Sequence, residues 1–582
     1  MADAPADPYQ DWSRDRLLER VRELEQQLKA QQQQQEQEQQ QATTSQNKHK
    51  RPAQQQQQQQ QQQQGGPTPS STAANKKKKK PARIDPSKYS TRYVALKLAY
   101  LGKRYGGFEY QATSPLPTIE GELWRALVRS CLIWPDDPDK VDFSPWEYSK
   151  CGRTDRGVSA FGQVITIRLR SNRPVNRPEN QVEGDEAQGG DDGKPAWDPI
   201  ADEINYPRVL NRLLPDDIRV LAWAPTLPAG FNARFSCRER QYRYYFTQPA
   251  FSPFPGAVHP QGKPGHEGWL DIAAMREAAK LFEGAHDFRN VCKVDGTKQI
   301  TNFTRRVFEA DIVEVDGAAS ALPYVLQQDF RPEGMAPFGT YPKVYYFLVR
   351  GSAFLWHQIR HMVSILFLVG QGLEKPSVVT ELLDITRNPR KPNYQMADEV
   401  PLVLWDCIFP LKGGSGGGGS SDGEDDPEAH DPDAEVDLNM KDAVDWVWVG
   451  EDKPTFLYGG NGLVDQLWET WRERKMDELL AAQLLNMFVQ KPDINRRLAE
   501  SQGPDKLLGG QRIFEGGNSS RSGGSYVPVM KRQLMPSPQE VNDKWAQSKG
   551  FANAEELAKT KNWRSVIKAN KEAAAASNVE DQ

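Results

Sequence analysis

The densest chemistry in the chain lies in five residues, Arg153-Thr-Asp-Arg-Gly157, which set one carboxylate between two guanidiniums. Gly152 and Gly157 supply the backbone freedom that a sharp loop needs. Two readings fit. One is a hairpin turn with solvated charges; the other is a carboxylate, Asp155, kept ionised between cations and able to act as nucleophile or base. A turn accounts for Asp155 and Gly157 but not for Arg153, Gln163 and the small residues gathered around them.

Two further stretches could serve such a carboxylate. In residues 231–246, Tyr242, Tyr244 and Phe246 fall on one strand face beside Arg243. Rings interleaved with guanidiniums suit base stacking with phosphate contact, or equally an aromatic core face. Residues 353–369 read as an apolar helix carrying His357, Arg360, His361 and Ser364 at i, i+3, i+4 and i+7. That polar stripe faces water or lines an internal cleft, where Arg360 would want a carboxylate. His286 and Asp287 read as a helix-end turn rather than a metal pair, with no third ligand nearby in sequence.

The elements that must position these residues follow from periodicity. Residues 93–100 alternate as a strand with one face more buried, and residues 102–107 form a turn. Thr118 caps a helix carrying Ile119, Leu123, Leu127 and Cys131. Strands are expected at 164–170, 218–223, 306–315, 344–351 and 402–409, with helices at 207–214 and 271–282. The acidic insert 171–203 and residues 250–268 read as loops.

Around this core the composition changes. Residues 1–83 are rich in Gln and Lys, with a short helix at 13–28 that is either a coiled-coil seam or a frayed helix in a disordered tail. Lys76–Lys80 suits nuclear import, a loose RNA contact or a solvated charge run, and a nuclear and cytoplasmic location is expected. Residues 84–228 and 229–410 divide the ordered core into two halves. Residues 411–440 read as a Gly-rich, acidic, disordered linker, 441–490 as a helical extension that packs on the core or a partner, and 491–582 as a mostly flexible tail. The net charge is −4, but segments 183–203 and 421–437 hold a net seven and nine negative charges, so the rest of the chain stands at +12. A basic remainder suits a polyanionic partner. The five cysteines show no paired C-x-x-C spacing, so neither a disulfide framework nor a metal site is expected, and the most apolar run is broken by His357, Arg360 and His361, against a membrane span.

These blocks resemble the TruA-type tRNA pseudouridine synthases. The resemblance rests on Cys151-Gly-Arg-Thr-Asp-Arg-Gly-Val-Ser-Ala160, the Tyr100-Leu-Gly turn, Phe231-Asn-Ala-Arg-Phe-Ser236, Arg240-Gln-Tyr-Arg-Tyr244 and Ala353-Phe-Leu-Trp-His-Gln-Ile-Arg360, in that family's order apart from inserts. Lys150-Cys-Gly, the block 286–295 and residues 526–532 are most similar to the eukaryotic branch acting on uridines 38 and 39 of the anticodon stem-loop. The resemblance implies an α/β (α+β) fold of two similar halves whose antiparallel-rich mixed sheets join, with helices on the sheet and the active-site cleft between the halves. It implies Asp155 as catalytic aspartate, Tyr242 stacked on the target uracil, Arg360 paired with Asp155, and Arg153 and Arg234 as substrate contacts. tRNA as substrate, a homodimer, and no cofactor or metal are implied likewise. Asp155 would attack the sugar or the base, or draw off the C2′ proton. Asn232 and Phe108-Glu109 depart from the bacterial pattern.

Overall fold

The computed structural model describes residues 85–175, 197–253, 267–315, 325, 327, 342–410, 442–451, 453–459, 462–491, 512–522, 525–560 and 562–567, all within the compact unit Arg83–Gln582. The expected N-terminal helix, the lysine run, the linker with its acidic run and most of the 171–203 insert lie outside these residues.

One mixed sheet organises the molecule. Its strands are β1 (Ser90–Tyr100), β2 (Ser149–Lys150), β3 (Ser159–Ser171), β4 (Ile218–Ala224), β5 (Glu239–Gln248), β6 (Gly284–Asp287), β7 (Thr304–Glu314), β8 (Lys343–Gly351), β9 (Leu402–Ile408) and β10 (Val447–Trp448). They run in the order β10-β4-β1-β3-β9-β5-β8-β7-β6, with β2 alongside β3. Every pairing is antiparallel except β3 with β9, where Ser159 faces Val403 and Ala160 faces Leu404. That short parallel pairing is the seam between two antiparallel half-sheets, as the resemblance implied. His286 and Asp287 lie in edge strand β6, correcting the helix-end turn: their register with Arg305 and Thr304 draws them into the sheet.

The expected alternation in β1 gives way to burial on both faces from Val94 to Leu98. Lys97 tolerates this because its ammonium pairs with Asp406 at 2.8 Å and lies 5.5 Å from each of the Trp446 and Trp448 rings. Helix α1 (Ile119–Arg129), capped by Thr118 accepting from the Gly121 amide, packs Ile119, Leu123, Trp124 and Leu127 into the core of the first half. In the second half α2 (Gln358–Gly370) is buried on every side. Leu404, Cys407 and Phe409 belong to the first core although they lie in the second half of the sequence, and Val158, from the first half, belongs to the second. The halves therefore interlock at the seam.

One expectation for the C-terminal region narrows and another changes. Of the two alternatives for 441–490, packing on the core is set aside: helix α3 (Leu463–Val489) buries only Leu463 and Asn486 and leaves Leu480, Leu484 and Phe488 more than 60% exposed, which leaves a partner as the other. The stretch expected to be a flexible tail instead sends Ile513, Phe514 and Val529 into the second core. Gln371 fixes Phe514 by bonding both its amide and its carbonyl, and the Glu374 carboxylate accepts from the Val529 amide and the Tyr526 hydroxyl. Among the described residues no helix is long and apolar enough to cross a membrane.

Candidate active site

The Asp155 loop is a built turn. The Val158 amide donates to the Asp155 carbonyl at 3.2 Å, and Gly157 stands at φ +80°, the pattern of a type II turn. Both of its ends are held. Buried Gln163 bonds the amide and carbonyl of Gly152 at 3.1 and 2.8 Å. The Tyr100 hydroxyl and Thr154 share a 2.7 Å hydrogen bond, and the Phe108 amide donates to the Thr154 carbonyl at 3.1 Å. This explains the density of Gln163 and small residues around the turn that charge alone did not.

The carboxylate of Asp155 meets the turn that precedes α2. Trp356 donates its indole N–H to Oδ1 at 3.2 Å, and His357 Nε2 lies 3.3 Å from Oδ2. The helix was expected from residue 353, yet it begins at Gln358, because His357 takes a left-handed φ of +59° and starts the helix from outside it. That kink swings Trp356 and His357 toward Asp155, away from the predicted stripe. Arg360, His361 and Ser364 of the stripe are buried, so it faces inward.

Arg360 does not bond Asp155. Its Nη2 pairs with Glu399 at 2.7 Å and its Nε donates to the Ala397 carbonyl at 2.7 Å. The nearer carboxylate takes the guanidinium, and Arg360 acts on Asp155 through space. Burial raises the Asp155 pKa above the ordinary carboxylate value, while the Arg360 charge and the Trp356 hydrogen bond pull it down and Glu399 pushes it up. Burial, reinforced by Arg360, Lys293 and Lys391, lowers His357 to about 4. At neutral pH His357 is therefore uncharged.

Tyr242 sits half-buried in β5, opposite Leu404 of β9, with its ring edge-to-face on Phe354 at 5.3 Å. The segment 354–357 thus touches Tyr242 through one ring and Asp155 through two side chains. Tyr244 and Phe246 are core, as one of the two readings held. Arg153 is 42% exposed and pairs with Glu109 at 3.1 Å, the residue that departs from the bacterial pattern. Arg234 lies 5.5 Å from the exposed Phe235 ring, on a loop whose carbonyl accepts from Arg240.

Sequence reasoning missed Trp356, Glu399, Lys293 and Arg240 as site residues, and placed His357 on the stripe without a contact to Asp155. Lys293 lies over the Trp356 ring at 4.5 Å, and its amide donates to the Trp356 carbonyl at 2.9 Å. Arg240 Nη1 donates to Ser352 O at 2.7 Å, and Nη2 donates to Cys151 O at 3.1 Å and Arg234 O at 3.3 Å. One guanidinium thus ties the Asp155 loop, the Arg234 loop and the turn before Trp356. Arg240 stood inside a recognised block, so the signal was present without its role. The thiols of Cys151, Cys237 and Cys407 converge, although their spacing gave no sign of it. They are the described residues able to hold a metal ion.

A single carboxylate presented by a glycine turn at the join of two antiparallel half-sheets, with a buried cation behind it and an aromatic ring beside it, has the architecture of the pseudouridine synthases. A family model described as tRNA pseudouridine synthase matches residues 278–410. The tRNA pseudouridine(38/39) synthase of Mus musculus is 42% identical over 325 residues, covering 56% of this chain and 57% of that protein. The protein of the same name from Saccharomyces cerevisiae is 42% identical over 333 residues, covering 57% and 60%. A probable tRNA pseudouridine synthase of Caenorhabditis elegans is 32% identical over 328 residues, 56% of this chain and 69% of its own length. This chain belongs to the TruA-type tRNA pseudouridine synthase family. It spans less than two thirds of the length of the mouse and yeast relatives.

Proposed function

We propose that this protein isomerises uridine to pseudouridine at positions 38 and 39 of the tRNA anticodon stem-loop, with Asp155 as the catalytic group. The observation that carries this is the Asp155 carboxylate, 35% exposed at the seam, with the Trp356 N–H on one oxygen and His357 Nε2 3.3 Å from the other. Each oxygen keeps a lone pair free for the substrate. Names of relatives supply the target positions.

The reaction breaks N1–C1′ and joins C5 to C1′; C5 loses a proton and N1 gains one, so no electrons are exchanged. It needs one ionised carboxylate, a hold on the detached base and exclusion of water. Partial burial makes Asp155 more basic than a surface aspartate, and Arg360 keeps it ionised without neutralising it by contact. Because the target stacks within a stem-loop, it must be flipped, and stacking on Tyr242 would return about 1–3 kcal/mol. Arg153 can exchange Glu109 for an RNA phosphate, and Arg234 beside exposed Phe235 offers a second such contact. A second copy of the chain completes the tRNA-binding surface in this reading.

The test is Asp155→Ala against wild type, with pseudouridine mapped in tRNA incubated with each and tRNA binding measured in parallel. Wild type is expected to modify positions 38 and 39, and the variant to bind tRNA without modifying it. Pseudouridine formed by the variant would overturn the role of Asp155, and a wild-type product at other positions would overturn the target.

A further inference from the structure

Beneath the catalytic loop three thiols meet. The Sγ atoms of Cys151, Cys237 and Cys407 all lie within 4.8 Å of one another, and the residues are 4%, 0% and 0% exposed. They arrive from three places: Cys151 from the start of the Asp155 loop, Cys237 from the approach to β5, and Cys407 from β9. Cys131 and Cys292 are free elsewhere and do not join them.

The spacing suits an ion better than a disulfide. Three thiolates about 2.3 Å from a shared centre stand roughly 4 Å apart, so the group needs only a small contraction to coordinate. A disulfide would draw two sulfurs to about 2 Å and strand the third. Charge supplies a second, independent observation. The half-buried side chain of Arg240 bonds three backbone carbonyls, one of them that of Cys151, and forms no ion pair with a carboxylate among the described residues. In β5 it stands directly across from Cys407. A guanidinium drawn partly out of water without an anion gains from a nearby negative charge. Three thiolates around a divalent cation carry one negative charge, which balances it; a monovalent ion would leave two.

We propose that Cys151, Cys237 and Cys407 bind one zinc ion that staples the catalytic loop to the seam of the two half-sheets. Soft thiolate ligands select zinc over the hard cations. Binding exchanges three thiol protons, released to solvent, for three Zn–S bonds, with no change of oxidation state. A water fills the fourth position, since the described residues bring no fourth ligand to the group. The ion touches no reacting atom in this scheme, so the site stands whatever RNA the enzyme acts on.

Zinc content of the protein as purified, with cadmium titration of chelator-treated protein, tests this. One zinc per chain and a cadmium–thiolate charge-transfer band saturating at one equivalent are expected. Cys237→Ser and Cys407→Ser are expected to lose the band, and Cys292→Ser to keep it. Zinc should raise the Tm of treated wild type and leave that of Cys237→Ser unchanged. If the serine variants fail to fold, wild type decides alone: no zinc as purified together with no cadmium–thiolate band overturns the proposal. So does a full-strength band in Cys237→Ser.

Discussion

Gly157→Ala tests whether the turn chemistry positions Asp155. Two costs add at this residue. An alanine at φ +80° costs about 1–2 kcal/mol. Its Cβ would also stand 2.5 Å from Cγ of Glu399, whose carboxylate is pinned to Arg360 and cannot simply swing away. Overpacking of this kind costs about 1–3 kcal/mol, for a total of about 2–5 kcal/mol. Gly230 is the control, at φ +70° with nothing within 4 Å of an added Cβ, so Gly230→Ala should lose only the first part. Chemical denaturation of the two variants isolates the collision as their difference. Single-turnover pseudouridine formation reads the second consequence: the displaced turn moves Asp155, and about 1 Å of misplacement costs on the order of 100-fold in rate, whereas Gly230→Ala should react at the wild-type rate. If Gly157→Ala matches Gly230→Ala in stability and turns over normally, the glycine turn does not set the carboxylate.

Three further perturbations follow from the same geometry. Trp356→Phe keeps the ring and removes the N–H on Asp155 Oδ1; because Trp356 is 39% exposed and the bond is 3.2 Å long, a loss of about 10-fold in kcat is expected, at the low end for a charged hydrogen bond. A change under twofold in single-turnover rate refutes that role. Arg360→Gln removes a positive charge that lowers the Asp155 pKa, so the pKa rises and the acid limb of the kcat/KM profile moves to higher pH, while Glu399→Gln removes a negative charge and moves it to lower pH. Shifts of the same sign in the two profiles contradict the assignment. Phe514→Ala removes a 2%-exposed ring packed 4.8 Å from Phe367 and 5.5 Å from Phe251 and should destabilise by about 3–5 kcal/mol. A loss below 1 kcal/mol in denaturant unfolding would mean that the C-terminal segment is not part of the second core.

What sequence could reveal here was local. Strands β4, β7, β8 and β9 follow from apolar runs, the Thr118 cap from its spacing, and Asp155 and Tyr242 from blocks whose order one family shares. The failures are long-range. No pattern in residues 353–369 marks the left-handed His357, so the helix seemed to run through it, His357 was grouped with the stripe of Arg360, and Trp356 stood unmarked within its block. Arg360 was rightly assigned a carboxylate, but Glu399 reaches it from a segment with no periodic signal of its own. The three thiols are far apart in sequence, so spacing rules built for local metal motifs could not find them.

The same long-range contacts explain how so slight a seam can hold a site. Two residue pairs join β3 to β9, too few to fix two half-sheets within the tolerance that catalysis requires. Cohesion must come from side chains crossing the join. Lys97 of β1 reaches Asp406 of β9, Arg240 gathers three loops, Val158 enters the second core, and Leu404 enters the first. Every one of these touches the Asp155 loop, or a strand beside it. Stability at the seam and placement of the carboxylate are therefore one property. A substitution that loosens the join should lower the rate before it unfolds the chain.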